Sequence, residues 1–245
     1  MYYTIEKAMS ALCDAIITIN SEDYETAKRM WCKNVFHING VGCDTEKYRN
    51  VQIDRDTYRK SLGVESGQIM ILDIGELSPR KNHKTVINAV AKLNNKNVVL
   101  IICGKGISGS GTFESLKTAA EEGHANVVFA GHRLDIPMLC QCADFGVLAS
   151  TREGLGMAGI EMMSAGLPLV TSNVHGIKDY MSDGKTGFMC DPYDVDAFAV
   201  GIEKLCNPKI RDSFRQNCVA SAARFDVFVS VEQMKKIYLE LLGEK

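Results

Sequence analysis

The sequence predicts an α/β protein built on a doubly wound parallel sheet. Apolar runs at residues 69–74, 98–102, 126–130, 145–149, 168–171 and 187–190 are continuous rather than alternating. That is the pattern of strands covered on both faces. Helical patterns lie between or after them, at 84–93, 112–122, 135–143, 157–165 and 177–181. Such alternation implies parallel strands joined by crossover helices. The residues with chemical potential follow the strands, at 75–81, 103–106, 131–133 and 150–156. In open α/β sheets ligands bind outside the carboxyl ends of the strands.

The chain before this alternation reads differently. Residues 3–12 suggest a helix, 15–19 a strand, 22–30 a helix and 35–38 a strand; Asn39-Gly40-Val41-Gly42 is a turn signal. An opening of this length is too short for a core of its own. Residues 1–40 therefore read as the last elements of a domain whose beginning lies elsewhere. Residues 41–226 read as the main domain, and 227–245 as a closing segment with an amphipathic helix at 230–242.

Composition narrows the function classes. The 245 residues are 24% charged and 46% hydrophobic, ordinary for a globular protein. A net charge of −2 without a basic block disfavours nucleic acid as a partner. No apolar run approaches the ~20 residues of a transmembrane helix. The first residues lack the basic-then-apolar pattern of a signal peptide. The nine cysteines are odd in number and scattered. Cys13, Cys103, Cys190 and Cys206 lie in apolar runs, where the thiol acts as a small hydrophobe. Cys140 and Cys142 have no companion pair at zinc spacing. The expectation is a reduced, cytoplasmic protein without a metal site.

The most informative stretch is Glu153-Gly154-Leu155-Gly156-Met157-Ala158-Gly159-Ile160-Glu161, directly after a strand. A strand, a glycine turn and a helix start can present N–H groups to a phosphate. Glu153 would lie on the loop and Glu161 about two turns into the helix, at ~3.6 residues per turn. One carboxylate could then reach the sugar end of a ligand and the other its ribose. The plainer alternative is a pair of glutamates favoured by the helix dipole. Gly75-Glu76-Leu77-Ser78-Pro79-Arg80-Lys81-Asn82 also joins a strand to a helix. Its adjacent Arg80 and Lys81 could neutralise a diphosphate, or could form a solvated basic turn.

Gly104-Lys105-Gly106-Ile107-Ser108-Gly109 has the form G-x-G-x-x-G. A dinucleotide site would require an acidic residue about 20 positions on. Gly131-His132-Arg133 ends the next strand instead. Residues 108–111 then read as a flexible loop. His37, His83, His124 and His175 carry no constellation and read as core or surface residues. No serine-hydrolase elbow, His-Glu-x-x-His or Walker loop is present.

The 153–161 stretch, with Thr151-Arg152 before it and Ser164-Ala165-Gly166-Leu167-Pro168 after it, resembles the Glu-x7-Glu block of retaining nucleotide-sugar glycosyltransferases with the GT-B fold. These belong to glycosyltransferase family 4, group 1. The Gly75-Glu76-Leu77 and Arg80-Lys81-Asn82-His83 residues are closest to capsule- and exopolysaccharide-type members. The resemblance implies that 41–226 is a Rossmann-like C-terminal donor-binding domain. Residues 1–40 would then be a remnant of the N-terminal acceptor domain, with the last helix crossing back onto it.

The resemblance also implies roles. Glu153 would contact donor-sugar hydroxyls, and Glu161 the ribose. Amides around Gly154, Leu155, Gly156 and Met157 would face the phosphates. Arg80 and Lys81 would hold the diphosphate and, with Glu153, form the catalytic set. Gly75 and Gly104 would shape the donor turns, and the His132-Arg133 turn would meet the base. Many members carry arginine directly after the first glycine, where this chain has Glu76, so Arg80 is read as supplying that guanidinium.

The implied activity is transfer of a sugar from a UDP- or GDP-sugar to a glycan or lipid-linked saccharide, with retention and without a metal cofactor. It would serve cell-surface polysaccharide synthesis in the cytoplasm or at the inner membrane face. Two readings compete within the fold, an epimerase and a phosphorylase. The first lacks support around the glutamate pair, and the second needs a cofactor lysine and a longer chain. A third reading is a nucleotide-sugar-binding module that transfers nothing alone, or that pairs with a separate N-terminal chain or with itself.

Overall fold

A computed structural model describes residues 2–106 and 111–243. The opening segment holds α1 (Tyr2–Met9), a 3₁₀ turn (Ser10–Leu12), β1 (Ile16–Thr18), α2 (Ser21–Ala27) and β2 (Val35–His37). β1 and β2 pair in parallel, Ile17 opposite Phe36. Two short helices follow, α3 (Thr45–Arg49) and α4 (Arg55–Ser61).

The main alternation is β3 (Ile69–Ile74), α5 (His83–Leu93), β4 (Val98–Cys103), α6 (Thr112–Glu122), β5 (Val127–Gly131), α7 (Ile136–Cys142), β6 (Phe145–Leu148), α8 (Met157–Ser164), β7 (Leu169–Ser172), α9 (Ile177–Tyr180) and β8 (Gly187–Cys190). Three helices close the described chain, α10 (Val195–Cys206), α11 (Pro208–Ala223) and α12 (Val227–Leu242).

Among the described residues, six parallel strands form one sheet in the order β5-β4-β3-β6-β7-β8. The α/β doubly wound expectation is met. Successive side chains of a strand point to opposite faces, so Met70 and Leu72 enter one core while Ile71 enters the other. Residues of α3, α7, α8 and α11 build the first core, and residues of α5, α6 and α10 the second. Both faces are covered, which is why the strands read as unbroken apolar runs.

The order of the strands reverses between β3 and β6, which pair directly. Ligand crevices in such sheets open at this switch point, outside the carboxyl ends. The opposite end is locked by Asp144. Its carboxylate accepts the Met70 N–H (2.8 Å) and bonds to Arg59 (3.1 Å) and Arg55 (2.9 Å) of α4. Those partners hold its pKa below the usual carboxylate range although burial pushes the other way.

Several expectations need correction. Helices α3, α4, α10 and α11 lie where the sequence reading placed none, yet each carries a legible start. Asp44, Asp54, Asp194 and Asn207 cap them, and Pro208 occupies the first turn of α11. The closing helix starts at Val227 rather than 230, because Asp226 accepts the Phe228 N–H. Cys13 is exposed and Cys206 half-buried, so neither is a core residue; Cys103 and Cys190 are. The expected loop at 108–111 lies outside the described residues except for Gly111, which has a left-handed backbone (φ 65°) before α6.

The linker between β2 and α3 runs along α12. Gln233 Oε1 accepts the Asn39 N–H (2.8 Å), Ser230 donates to the Asn39 carbonyl (3.1 Å), and Cys43 exchanges backbone bonds with Phe225 and Val227. An apolar groove of about 700 Å³ opens there, between Ile38 and Val41 on one side and Val231, Met234 and Tyr238 on the other. Among the described residues, no helix is long and apolar enough to cross a membrane.

Candidate functional site

The turn after β3 and the loop after β6 meet across the switch point. Lys81 Nζ donates to Glu153 Oε1 at 2.6 Å, and Arg80 Nη1 to Glu153 Oε2 at 3.3 Å. Ser150 donates to Glu153 Oε1 at 2.7 Å. Glu153 is 8% exposed and the Lys81 side chain 14%, while that of Arg80 remains 47% exposed. Two cations thus share one carboxylate, leaving a local excess of positive charge on a partly open guanidinium. The sequence placed Arg80 and Lys81 opposite a ligand. The structure adds that they hold Glu153 as well.

Local folding explains this convergence. Asn82 has a left-handed backbone (φ 54°) and turns the chain into α5. Its amide donates to the Ala149 and Pro192 carbonyls (3.2 and 2.6 Å), tying the turn to the end of β6. Thr151 N–H donates to the Arg80 carbonyl at 2.9 Å. Below the turn, His83 is 1% exposed, with Nδ1 2.7 Å from Asp73 Oδ2 and Nε2 3.1 Å from the Glu76 carbonyl. Burial alone would lower the imidazole pKa, but the Asp73 charge and hydrogen bond outweigh it and the pKa rises. His83 therefore does carry a constellation, contrary to the sequence reading, and it supports the turn from within the core.

Gly154, Leu155, Gly156 and Met157 lead into α8. Among the described residues their backbone N–H groups have no hydrogen-bond partner. Gly156 adopts a left-handed backbone (φ 80°). Unpaired donors at a helix start are the kind of groups that can receive an anion.

Glu161 sits one turn into α8 rather than two. The Tyr48 hydroxyl of α3 hydrogen-bonds its carboxylate, and Lys47 lies close enough to act on its charge. Burial raises the Glu161 pKa above its usual range, and these two neighbours only partly counter the rise. Tyr48 itself is pushed well above the ordinary phenol range by burial and by the Glu161 charge, so its hydroxyl is the donor. The sequence reading missed Tyr48. Its signal was an aromatic residue in a short segment capped by Asp44, between the linker and the sheet.

Gly75, Gly104, His132 and Arg133 line one cavity of about 470 Å³, with Ile74, Glu76 and Ile136. Glycine is required at 104, since a Cβ there would stand 1.8 Å from the Gly75 carbonyl oxygen. This close approach accounts for the glycine without a dinucleotide fingerprint; Ile107, Ser108 and Gly109 of that motif lie outside the described residues. The Arg133 guanidinium is not free. It donates to both Asp135 carboxylate oxygens (2.8 and 2.5 Å), and Tyr58 donates to the same carboxylate at 2.7 Å. Among the described residues, no group of three acidic, histidine or cysteine side chains is placed to hold a metal ion.

Residues 54–224 match the profile of a family described as glycosyl transferases group 1. The chain is 36% identical over 246 residues to EpsD of Bacillus subtilis (strain 168), whose name places it among glycosyltransferases. That match takes in 97% of this chain and 64% of that protein. It is 24% identical over 252 residues to the UDP-Gal:alpha-D-GlcNAc-diphosphoundecaprenol alpha-1,3-galactosyltransferase of Escherichia coli, covering 100% and 65%. The crystal structure of Alr3699/HepE from Anabaena, in complex with UDP and glucose, shares the fold. Its TM-score is 0.88 at 21% identity, over 97% of this chain and 66% of that one. The chain thus spans just under two thirds of the length of these relatives.

Proposed function

The chain belongs to the glycosyl transferases of group 1, and on that premise we propose that it binds a nucleoside-diphosphate sugar and supports transfer of the sugar with retention. The observation that carries this reading is the meeting of Arg80 and Lys81 with Glu153 across the switch point, beside the unpaired amides of 154–157. Cations and oriented amides suit a diphosphate leaving group, and the buried carboxylate suits hydroxyls of the sugar.

In the proposed reaction, the bond between the anomeric carbon and the β-phosphate oxygen breaks. An acceptor hydroxyl forms the new bond on the same face, and its proton passes to the departing phosphate. Charge grows on that phosphate as the bond breaks. Arg80, Lys81 and the amides near Gly156 are preorganised to stabilise it. The nucleoside would lie in the cavity between Gly104 and His132, with Glu161 toward the ribose. The donor is a UDP- or GDP-sugar, and no metal takes part in this scheme.

The acceptor, a glycan or lipid-linked saccharide for cell-surface polysaccharide, is assigned to the half of the fold that this chain does not contain. Exposed apolar residues are consistent with such a half packing there: Ile5, Met9, Leu12 and Trp31 in the opening segment, and Val231, Tyr238 and Leu242 on α12. The test is calorimetric titration of the chain with UDP, GDP and their sugar conjugates. Binding that is lost in Lys81→Ala supports the donor site. A folded chain that binds none of these nucleotides refutes it.

A further inference from the structure

The loop that carries Glu153 is gripped by a residue of the opening segment. Asn20, 1% exposed, stands between β1 and α2. Its Oδ1 accepts the Asp23 N–H at 2.7 Å and caps α2. Its Nδ2 donates at 2.7 Å to Asp23 Oδ2 and at 2.7 Å to the Gly154 carbonyl. Both amide hydrogens are used. Beside it, the Ser21 N–H donates to Asp179 Oδ2 at 2.7 Å. Gly176 also presses on the same peptide: a Cβ there would stand 2.2 Å from the Gly154 oxygen and 2.7 Å from Leu155 Cα. The Gly154–Leu155 peptide is thus fixed both by the Asn20 amide and by the backbone of Gly176.

Capping α2 needs only an acceptor at position 20, and serine would serve. The second bond, to Gly154, has a different consequence. A trans peptide is planar, so fixing a carbonyl fixes the following N–H in the opposite direction. The peptide is trans. Holding the Gly154 carbonyl therefore sets the direction of the Leu155 N–H, which has no partner among the described residues.

We propose that Asn20 is a positioning residue of the donor site, holding the Gly154–Leu155 peptide so that the Leu155 N–H is presented to the diphosphate. The proposal rests on the donor-binding reading above. It adds that the opening segment takes part in building a site otherwise carried by the six-stranded sheet.

The test uses Asn20→Ser in the full chain. Serine keeps the cap but is too short to bridge to the Gly154 carbonyl. Asn20→Asp, nearly isosteric and unable to donate, is the second variant should the first fail to fold. The amide resonance of Leu155 is followed by NMR, with and without UDP or GDP, whichever wild type binds. Affinities for that diphosphate and for its nucleoside are measured alongside.

The expected result is a Leu155 amide signal that shifts on diphosphate binding in wild type and does so weakly in the variant. Diphosphate affinity should fall about tenfold, the worth of one hydrogen bond to a charged group, with nucleoside affinity unchanged. Equal losses for diphosphate and nucleoside would mean a general structural role and overturn the proposal. So would a Leu155 amide that ignores the diphosphate in wild type. A wild-type chain that binds no nucleotide overturns the donor reading and this proposal with it, whereas wild-type binding that is unaltered in the variant overturns this proposal alone.

Discussion

Replacing Glu161 by glutamine should make the protein more stable and a poorer nucleotide binder. Burial holds the Glu161 pKa above its usual range, and the Tyr48 hydrogen bond does not fully offset that. A carboxyl group with a raised folded pKa stabilises the fold below its unfolded pKa of about 4.3. It loses that contribution as pH rises through the folded value. Once ionised, Glu161 therefore opposes folding, and a neutral amide in its place would not. Glutamine can still accept from the Tyr48 hydroxyl, so the packing partner is kept. Binding changes the other way. Hydrogen bonds to a charged group contribute about 1.5–3 kcal/mol and neutral ones about 0.5–1.5. If the proposed ribose contact holds, two hydroxyls facing a neutral amide would lose about 2–3 kcal/mol together, or roughly 30- to 150-fold in Kd. Thermal melts at pH 4 and pH 7 and titration with the diphosphate measure both effects. The Tm gain should be present at pH 7 and shrink at pH 4. A Glu161→Gln variant less stable at pH 7, or one binding as wild type does, would refute the reasoning.

The remaining predictions concern the supports around that site. Glu153→Gln removes the shared carboxylate between Lys81 and Arg80; calorimetry should show a loss of about 1–3 kcal/mol, less than for a fully buried pair because Arg80 is half exposed. Gly104→Ala puts a methyl 1.8 Å from the Gly75 carbonyl oxygen, against the backbone of the Gly75–Glu76 peptide; denaturant unfolding should show a loss above about 3 kcal/mol, or the variant should not fold. The Asp73–His83 pair should stabilise most below about pH 6.5 and lose its contribution as pH rises through the raised folded pKa of His83. The Tm difference between wild type and His83→Gln should accordingly narrow from pH 6 upward.

The sheet was legible because its strands are buried on both faces, which removes the ambiguity of alternating patterns. Strands Ile69–Ile74 and Gly187–Cys190 have the bounds that the apolar runs suggested, and helix Thr112–Glu122 those of its helical pattern. The helices that were missed are of two kinds. α3 and α4 span a turn or two and have little periodicity, so only the caps Asp44 and Asp54 announce them. α10 and α11 are long, but they follow the last strand, where no further alternation points to them. The turns bearing Arg80, Lys81 and Glu153 were legible as glycine-rich joints after strands. Their mutual contact was not, since it depends on β3 and β6 being neighbours, a fact of strand order rather than of spacing. Tyr48 and Asn20 lay beyond reach for the same reason. Each touches the site from a segment distant in sequence.

The pairing of Lys81 with Glu153 bears on how the site would work before a ligand arrives. A lysine side chain free in solution loses considerable rotamer entropy when it is fixed on a phosphate. Here the ammonium is already fixed, 2.6 Å from a carboxylate that Ser150 also holds. The entropy loss is then part of folding rather than of binding. Glu153 serves as an internal partner that keeps the cation in place, while Arg80, 3.3 Å from Glu153 and 3.2 Å from the Arg152 carbonyl, is half exposed. A diphosphate would add to this arrangement without dismantling it, because two cations on one carboxylate leave a positive excess. Preorganised charge of this kind acts most strongly where it changes least as the reaction proceeds. In the proposed transfer that favours Lys81 as the more firmly held of the two cations, with Arg80 beside it more open to solvent.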